Sequence, residues 1–168
     1  MIAGYYAWRA DHLQLTPQVQ LEFANERPFV EPTGPRQTFV RVKVNCVSGL
    51  RANCEGHLLA VYQEVVGHFE PLCRETLDLT WAQLDQAGRL EIERDAPRLL
   101  NVCVQEGQRL VPCAARIPNT LLEQLSHPGT FRFQVHVTGK EPLCIQVKLA
   151  PSDTYHPLVE LVPSPSKA

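Results

Sequence analysis

The residues of this chain best suited to chemistry are its thiols and imidazoles. The sequence contains six histidines and six cysteines, at Cys46, Cys54, Cys73, Cys103, Cys113 and Cys144. A thiolate beside an oriented imidazole could serve as the nucleophile of a Cys-His hydrolase. No cysteine lies in a nucleophile elbow, no phosphate-binding glycine loop occurs, and His57 and His68 lie in strand and turn sequences. We therefore expect a protein that is not an enzyme, with no catalytic and no cofactor-binding residue.

A zinc site is the second chemistry that these residue types allow. Cys54 and His57 are three positions apart, Cys46 lies eight positions before Cys54, and Cys73 could supply a fourth ligand. Structural zinc sites usually contain paired Cys-x-x-Cys knuckles, and the sequence has none. An odd spacing on one strand would also place Cys54 and His57 on opposite sides of it. We therefore expect no metal site.

The even number of cysteines also allows three disulfide bonds. The N-terminus lacks the basic start, long apolar run and small-residue cleavage site of a secretory signal, so nothing indicates an oxidising compartment. Cys46 has the same parity as Val40, Val42 and Val44, and free cysteine is often buried like a small hydrophobic residue. The pattern favours reduced thiols in or near the core.

Alternation of apolar and polar residues predicts the strands that must position these side chains. Residues 39–62 form the strongest pattern, two apolar strands joined by a short polar turn. Residues 131–137 and 143–149 alternate in the same way and predict a C-terminal antiparallel hairpin. A shorter pattern ends on Trp81, whose indole we expect to lie in the core between two sheets.

The frequency of turn signals indicates the fold class. Fourteen prolines against nine glycines suit short strands separated by turns better than long helices. The pattern predicts an all-β chain, a two-sheet antiparallel immunoglobulin-like sandwich of about seven to nine strands with one or two short helices. Residues 118–126 predict a brief helix, with Asn119 or Thr120 as its cap.

A single domain with a segment on each side is the expected organisation. The 168 residues, 44% of them hydrophobic, fit one core, and the strand patterns fall within residues 17–150. Residues 1–16 begin with apolar and aromatic side chains and predict a helical or juxtamembrane segment. Residues 151–168, rich in proline and serine, predict a frayed extension with one apolar run at 158–162.

Net charge and the positions of aromatic residues indicate which classes of binding partner are expected. Sixteen basic and eighteen acidic residues give a net charge of -2, which argues against binding to nucleic acid. The candidates for protein contact are Tyr5, Tyr6 and Trp8 in the N-terminal segment, and Phe29 and Val30 in a proline-rich loop. A partner protein or a second copy could bind there, at other loops or at a sheet edge. A membrane would be reached only through a segment absent from this chain.

Five segments carry a resemblance to a known group of proteins, namely residues 41–45, 52–58, 79–81, 99–102 and 129–137. Across residues 18–149 the sequence resembles uncharacterised prokaryotic immunoglobulin-like sandwich domains, which are often attached to membrane helices. The resemblance implies this fold and a membrane anchor, and it carries over no catalytic residue. The chain departs from the group because it lacks a membrane segment.

Three functions are consistent with these patterns. The first is a non-enzymatic module for protein–protein contact, acting as a scaffold or as the sensor part of a membrane-anchored protein. The second is a sandwich that binds a small ligand or a glycan, with Trp81 or the tyrosines lining a concave pocket. The third is a Cys-His hydrolase, which needs a thiol within reach of an imidazole. We favour the first, located in the cytoplasm or forming the cytoplasmic part of an anchored protein.

Overall fold

The regular structure of the chain is almost entirely antiparallel β-strand. A computed structural model describes residues 17–82, 84, 86–150 and 157–164. Fifteen strands and one helix lie within these residues. The predicted all-β class is confirmed. The number of strands is larger than predicted, because some sequence patterns divide into shorter strands that belong to different sheets.

Sheet 1 contains seven strands arranged around one long strand. They are β1 (Gln18–Glu22), β2 (Val30–Gly34), β3 (Gln37–Ser48), β8 (Thr80–Trp81), β9 (Gln86–Ala87), β11 (Arg98–Glu106) and β12 (Arg109–Pro112). Strand β3 pairs with β11 along one edge and with β1 and β2 along the other. On the far side of β11 lie β12 and β8, and β8 pairs with β9.

Sheet 2 contains six strands, and a separate ribbon contains two. The strands of sheet 2 are β5 (Gly56–Val65), β6 (His68–Cys73), β7 (Leu77–Asp78), β13 (Gly129–Val137), β14 (Leu143–Leu149) and β15 (Leu158–Val162). Their order is β15-β14-β13-β5-β6, with β7 also paired to β5. Strands β4 (Arg51–Cys54) and β10 (Leu90–Glu93) form the ribbon. The predicted C-terminal hairpin is confirmed, with Phe133 opposite Ile145.

Both sheets contribute alternate side chains to one core. Val40 and Val42 of β3 and Phe131 and Phe133 of β13 are each 0% exposed, and all four belong to a single buried cluster. The intervening residues of these strands are half-buried on the opposite face, as a period of two requires. The buried valines and phenylalanines therefore identify the core side of each sheet. We call the opposite side of each sheet its outer face.

Two patterns that look continuous in the sequence are divided between the sheets. The two apolar strands of residues 39–62 do not pair, because β3 belongs to sheet 1 and β5 to sheet 2, with β4 between them in the ribbon. The pattern of residues 77–81 crosses between sheets at Leu79, since β7 pairs with β5 and β8 with β11. Trp81 lies in the core at 2% exposure, as predicted, and donates its indole N–H to the Gly88 carbonyl at 3.0 Å.

The brief helix predicted near residue 120 is confirmed as α1 (Asn119–Gln124), but its predicted cap is wrong. Pro118 occupies the N-cap position, and no side chain caps the first turn. The helix is instead held by packing, because Leu121 and Leu125 are buried in the core cluster. Among the described residues, no helix is long and apolar enough to cross a membrane.

The apolar run at residues 158–162 is an ordered edge strand, which corrects the prediction of a frayed extension there. Strand β15 pairs antiparallel with β14, and Val159 lies opposite Val147. Val159 is only 3% exposed and belongs to the core cluster. Burial of this valine therefore anchors β15 against the core.

Candidate functional site

The thiols lie mostly in the interior. None of the six cysteines forms a disulfide bond, and four of them are buried and two half-buried, as the sequence favoured. Burial raises the pKa of Cys54 to about 11, with a smaller effect from Cys46. Burial likewise raises the pKa of Cys103 well above its ordinary value and raises that of Cys144. These three thiols therefore stay protonated near neutral pH and are poor nucleophiles.

Raised thiol pKa values predict a loss of stability in alkaline solution. The unfolded chain ionises its thiols near their ordinary pKa of about 8.5, whereas the folded chain keeps Cys54 protonated up to about 11. The unfolded state therefore loses protons first, and the free energy of unfolding should fall as pH rises across this interval. Urea unfolding at a series of pH values measures the fall. It should be smaller in Cys54→Ala, and an unchanged slope in that variant would contradict the assignment.

His57 lies on the outer face of sheet 2, away from the buried Cys54. Its Nδ1 is 3.0 Å from the Asp78 carboxylate, its Nε2 is 3.5 Å from Glu55, and its ring stacks on His136 with centroids 6.2 Å apart. The polar partners of the imidazole are thus carboxylates. An aspartate can orient a histidine as a general base, but the thiol nearest to His57 in the sequence, that of Cys54, is buried in the core.

The four residues considered for zinc do not converge. Cys46 and Cys54 are buried in the core, Cys73 is half-buried, and His57 lies on the outer face. The Cys46 and Cys73 thiols contact the backbone carbonyls of Ser48 and Glu75. In the described part of the chain, no group of three or more histidine, cysteine, aspartate or glutamate side chains could hold a metal ion.

The residues predicted for protein contact are only partly described. Phe29 is 8% exposed, and its ring packs edge-on against Phe23 with centroids 6.0 Å apart. Val30 is half-buried against the core. Phe29 therefore stabilises the β2 region and does not present the exposed ring that its proline-rich sequence suggested. Their contact role stays a prediction, and the other three candidates, Tyr5, Tyr6 and Trp8, lie outside the described residues.

A row of polar side chains crosses the outer face of sheet 2. Arg132 of β13 lies opposite Tyr62 of β5 and Gln146 of β14, and Gln146 lies opposite Glu160 of β15. Arg132 Nε donates to Gln146 Oε1 at 2.9 Å, and Gln146 Nε2 donates to Glu160 Oε1 at 2.5 Å. We call Tyr62, Arg132, Gln146 and Glu160 the Arg132 row. Alternation indicated that Arg132 points outward, but no sequence signal aligned it with the other three residues.

The edge of sheet 2 carries exposed apolar side chains. Leu158 and Leu161 of β15 are 64% and 52% exposed. They occupy opposite faces of the strand, because their separation along it is odd. The apolar run was visible in the sequence, but its position at a sheet edge follows only from the pairing with β14.

Trp81 cannot line a surface pocket, because it is 2% exposed in the core. Among the described residues, Tyr62 is the tyrosine considered for ligand binding, and it lies on the outer face of sheet 2, beside Arg132. Comparison with known proteins does not assign this surface to a family: no family model, curated protein or solved structure matches the chain.

Proposed function

We propose that the chain is a non-enzymatic interaction module with an immunoglobulin-like sandwich fold, which binds a partner protein through the edge of sheet 2. The sandwich is supported by the single buried cluster to which both sheets contribute and by the antiparallel pairing of their strands. The protonated, buried thiols of Cys54 and Cys103 argue against a thiol enzyme.

The free edge of β15 is the observation that carries this proposal. Among the described residues β15 pairs with β14 alone, so its other edge presents backbone N–H and C=O groups. An extended segment of a partner could add to this edge by main-chain hydrogen bonds. The same segment would cover Leu158 and Leu161, which are more than half exposed. Backbone pairing and apolar burial would thus act together.

The flanks of the strand limit the extent of this contact. The strand has five residues, with Pro157 before it and Pro163 after it. Proline has no N–H to donate, so pairing would end close to both prolines. An interface based on so short an edge buries less than the roughly 1,200 Å² of a stable complex. The expected contact is therefore transient, as in signalling or scaffold assembly.

Substitution of the exposed leucines by lysine tests the proposal. Leu158→Lys with Leu161→Lys places two charges where a partner strand would pack, and should weaken association by about tenfold or more. The measurement is light scattering over a concentration series for self-association, with recovery of bound protein from lysate for other partners. Both substituted positions are exposed, so the fold should be retained.

Leu50→Lys is the matched control, since Leu50 is 70% exposed in the turn between β3 and β4, neither of which belongs to the sheet of β15. It should leave association unchanged. Removal of residues 1–15 separately tests the N-terminal aromatic candidates. If the parent chain stays monomeric and recovers no partner, or if the double lysine variant associates as the parent does, the edge proposal fails.

The proposed location is the cytoplasm, either free or as the cytoplasmic part of an anchored protein. Six cysteines without a disulfide bond, four of them buried, are consistent with a reducing compartment. The genomic sequence upstream of Met1 tests the anchor: an in-frame apolar run of about twenty residues would support it. A stop codon directly upstream would argue for the free form.

A further inference from the structure

The guanidinium of Arg132 is held in place from two sides on the outer face of sheet 2. Its central carbon lies 3.7 Å from the centroid of the Phe69 ring, a cation–π contact with β6. Its Nε donates to Gln146 Oε1 at 2.9 Å. The amide of Gln146 is itself oriented by its bond to Glu160. The planar group is therefore positioned before any ligand arrives, which reduces the entropy that binding would cost.

The charge of Arg132 is not neutralised by a neighbour in the described part of the chain. The ion pairs found there involve other basic side chains, and none includes Arg132. Arg41 on the outer face of sheet 1 shows the contrast. It also lies over a phenylalanine ring, Phe39 at 4.7 Å, but it pairs with the Glu31 carboxylate and with Asn101. Arg41 thus already has a carboxylate partner, Glu31. The terminal amino groups of Arg132 have no carboxylate partner in the described part of the chain.

The residues around Arg132 add aromatic surface and polar groups, and the Glu160 carboxylate lies two strands away, where it accepts a hydrogen bond from Gln146. Tyr62 lies directly opposite it on β5, and Gln134 and His136 follow it on the outward side of β13. All three are half-buried, so they are accessible to a small molecule lying flat on the sheet. The His136 ring is stacked against His57, which holds it parallel to its neighbour. Hydroxyl, amide and imidazole groups match the hydroxyl groups of a polyol or sugar.

We propose that the outer face of sheet 2 binds a small hydroxylated carboxylate, with the terminal amino groups of Arg132 as the anchor for its carboxylate. A guanidinium fork and a planar carboxylate form two parallel charge-assisted hydrogen bonds. Tyr62 and Gln134, the outward neighbours nearest to Arg132, contact the hydroxylated part of the ligand. The anchor Arg132 lies on β13, two strands from the free edge of β15, and its ligand contacts do not use the backbone groups of that edge.

Titration with D-glucuronate, followed by NMR of the labelled full chain, tests the site. Saturable shifts are expected at outer-face residues of β5, β13 and β14. Acetate and D-glucose serve as separate probes for the carboxylate and the hydroxyl groups, and each should bind at least about tenfold more weakly than glucuronate. Arg132→Gln should weaken glucuronate binding by about tenfold or more, because it removes the charge-assisted bonds.

Two further variants separate the effect of the guanidinium geometry from that of net charge. Arg132→Lys keeps the charge but not the fork, and should also bind more weakly than the parent. Arg109→Gln removes one positive charge from an exposed pair with Glu106 and should bind as the parent does. The proposal is overturned if glucuronate causes no saturable shift in the parent chain, if acetate or glucose binds as tightly, or if Arg109→Gln loses as much affinity as Arg132→Gln.

Discussion

Replacing Trp81 with alanine is expected to lower the free energy of unfolding by about 3–5 kcal/mol. The indole is 2% exposed and belongs to the cluster to which both sheets contribute, so its removal leaves a large cavity. The variant also loses the hydrogen bond from the indole N–H to the Gly88 carbonyl. Urea unfolding followed by far-ultraviolet circular dichroism measures the change without relying on tryptophan fluorescence.

Trp81→Phe is the matched variant, because it keeps an aromatic ring in the core while it removes the N–H donor. Gly88 is half-buried, so its carbonyl can accept a hydrogen bond from water in place of the lost indole N–H. The loss should therefore be smaller than in the alanine variant, about 1–2 kcal/mol. A loss below about 1 kcal/mol for Trp81→Ala would show that the indole does not contribute to the core as described.

Gly56→Ala is expected to destabilise the chain by about 1–3 kcal/mol, although it adds a single methyl group. A Cβ at position 56 would lie 2.4 and 2.5 Å from the two Cδ atoms of Leu100, well inside van der Waals contact. Leu100 is 0% exposed in β11 of sheet 1, whereas Gly56 begins β5 of sheet 2. The glycine thus allows the two sheets to approach closely at this point. Urea unfolding gives the size of the effect.

A double-mutant cycle with Leu100→Ala tests the cause of this loss. Leu100→Ala alone leaves a cavity, but in the Gly56→Ala background it also removes the side-chain atoms that clash. The double variant should therefore be more stable than the sum of the single losses predicts, by about 0.5–3 kcal/mol. Gly34→Ala is the control, since a Cβ there meets nothing within 4 Å. Additive losses would contradict the proposed contact.

Much of the fold could be predicted from local patterns. The alternation of residues 131–137 and 143–149 predicted the hairpin of β13 and β14, and the burial of Trp81 followed from its place at the end of an apolar strand. The helix near residue 120 was visible from its leucine spacing, although its cap was wrong. These features depend on neighbours in sequence, so the chain shows them directly.

The candidate site was much less predictable, and the Arg132 row shows why. Alternation indicates that Arg132 points away from the core, but Tyr62 and Glu160 are brought near it only by the registers of three different strand pairs. Phe69 reaches the guanidinium from β6, at the other side of β5. Alternation with a period of two shows which face of a strand a residue occupies. It does not show which strand lies beside it, because the pattern would be the same next to any partner.

The sequence by itself determined the all-β class, the inward side of β3, β13 and β14, and the burial of most thiols. Only the tertiary structure decided how these strands divide between two sheets, that Leu79 carries the chain across, and that Leu158–Val162 forms an open edge. The physical reason is that side-chain direction along a strand is a local property of the backbone, whereas the choice of partner strand depends on contacts between residues far apart in the chain.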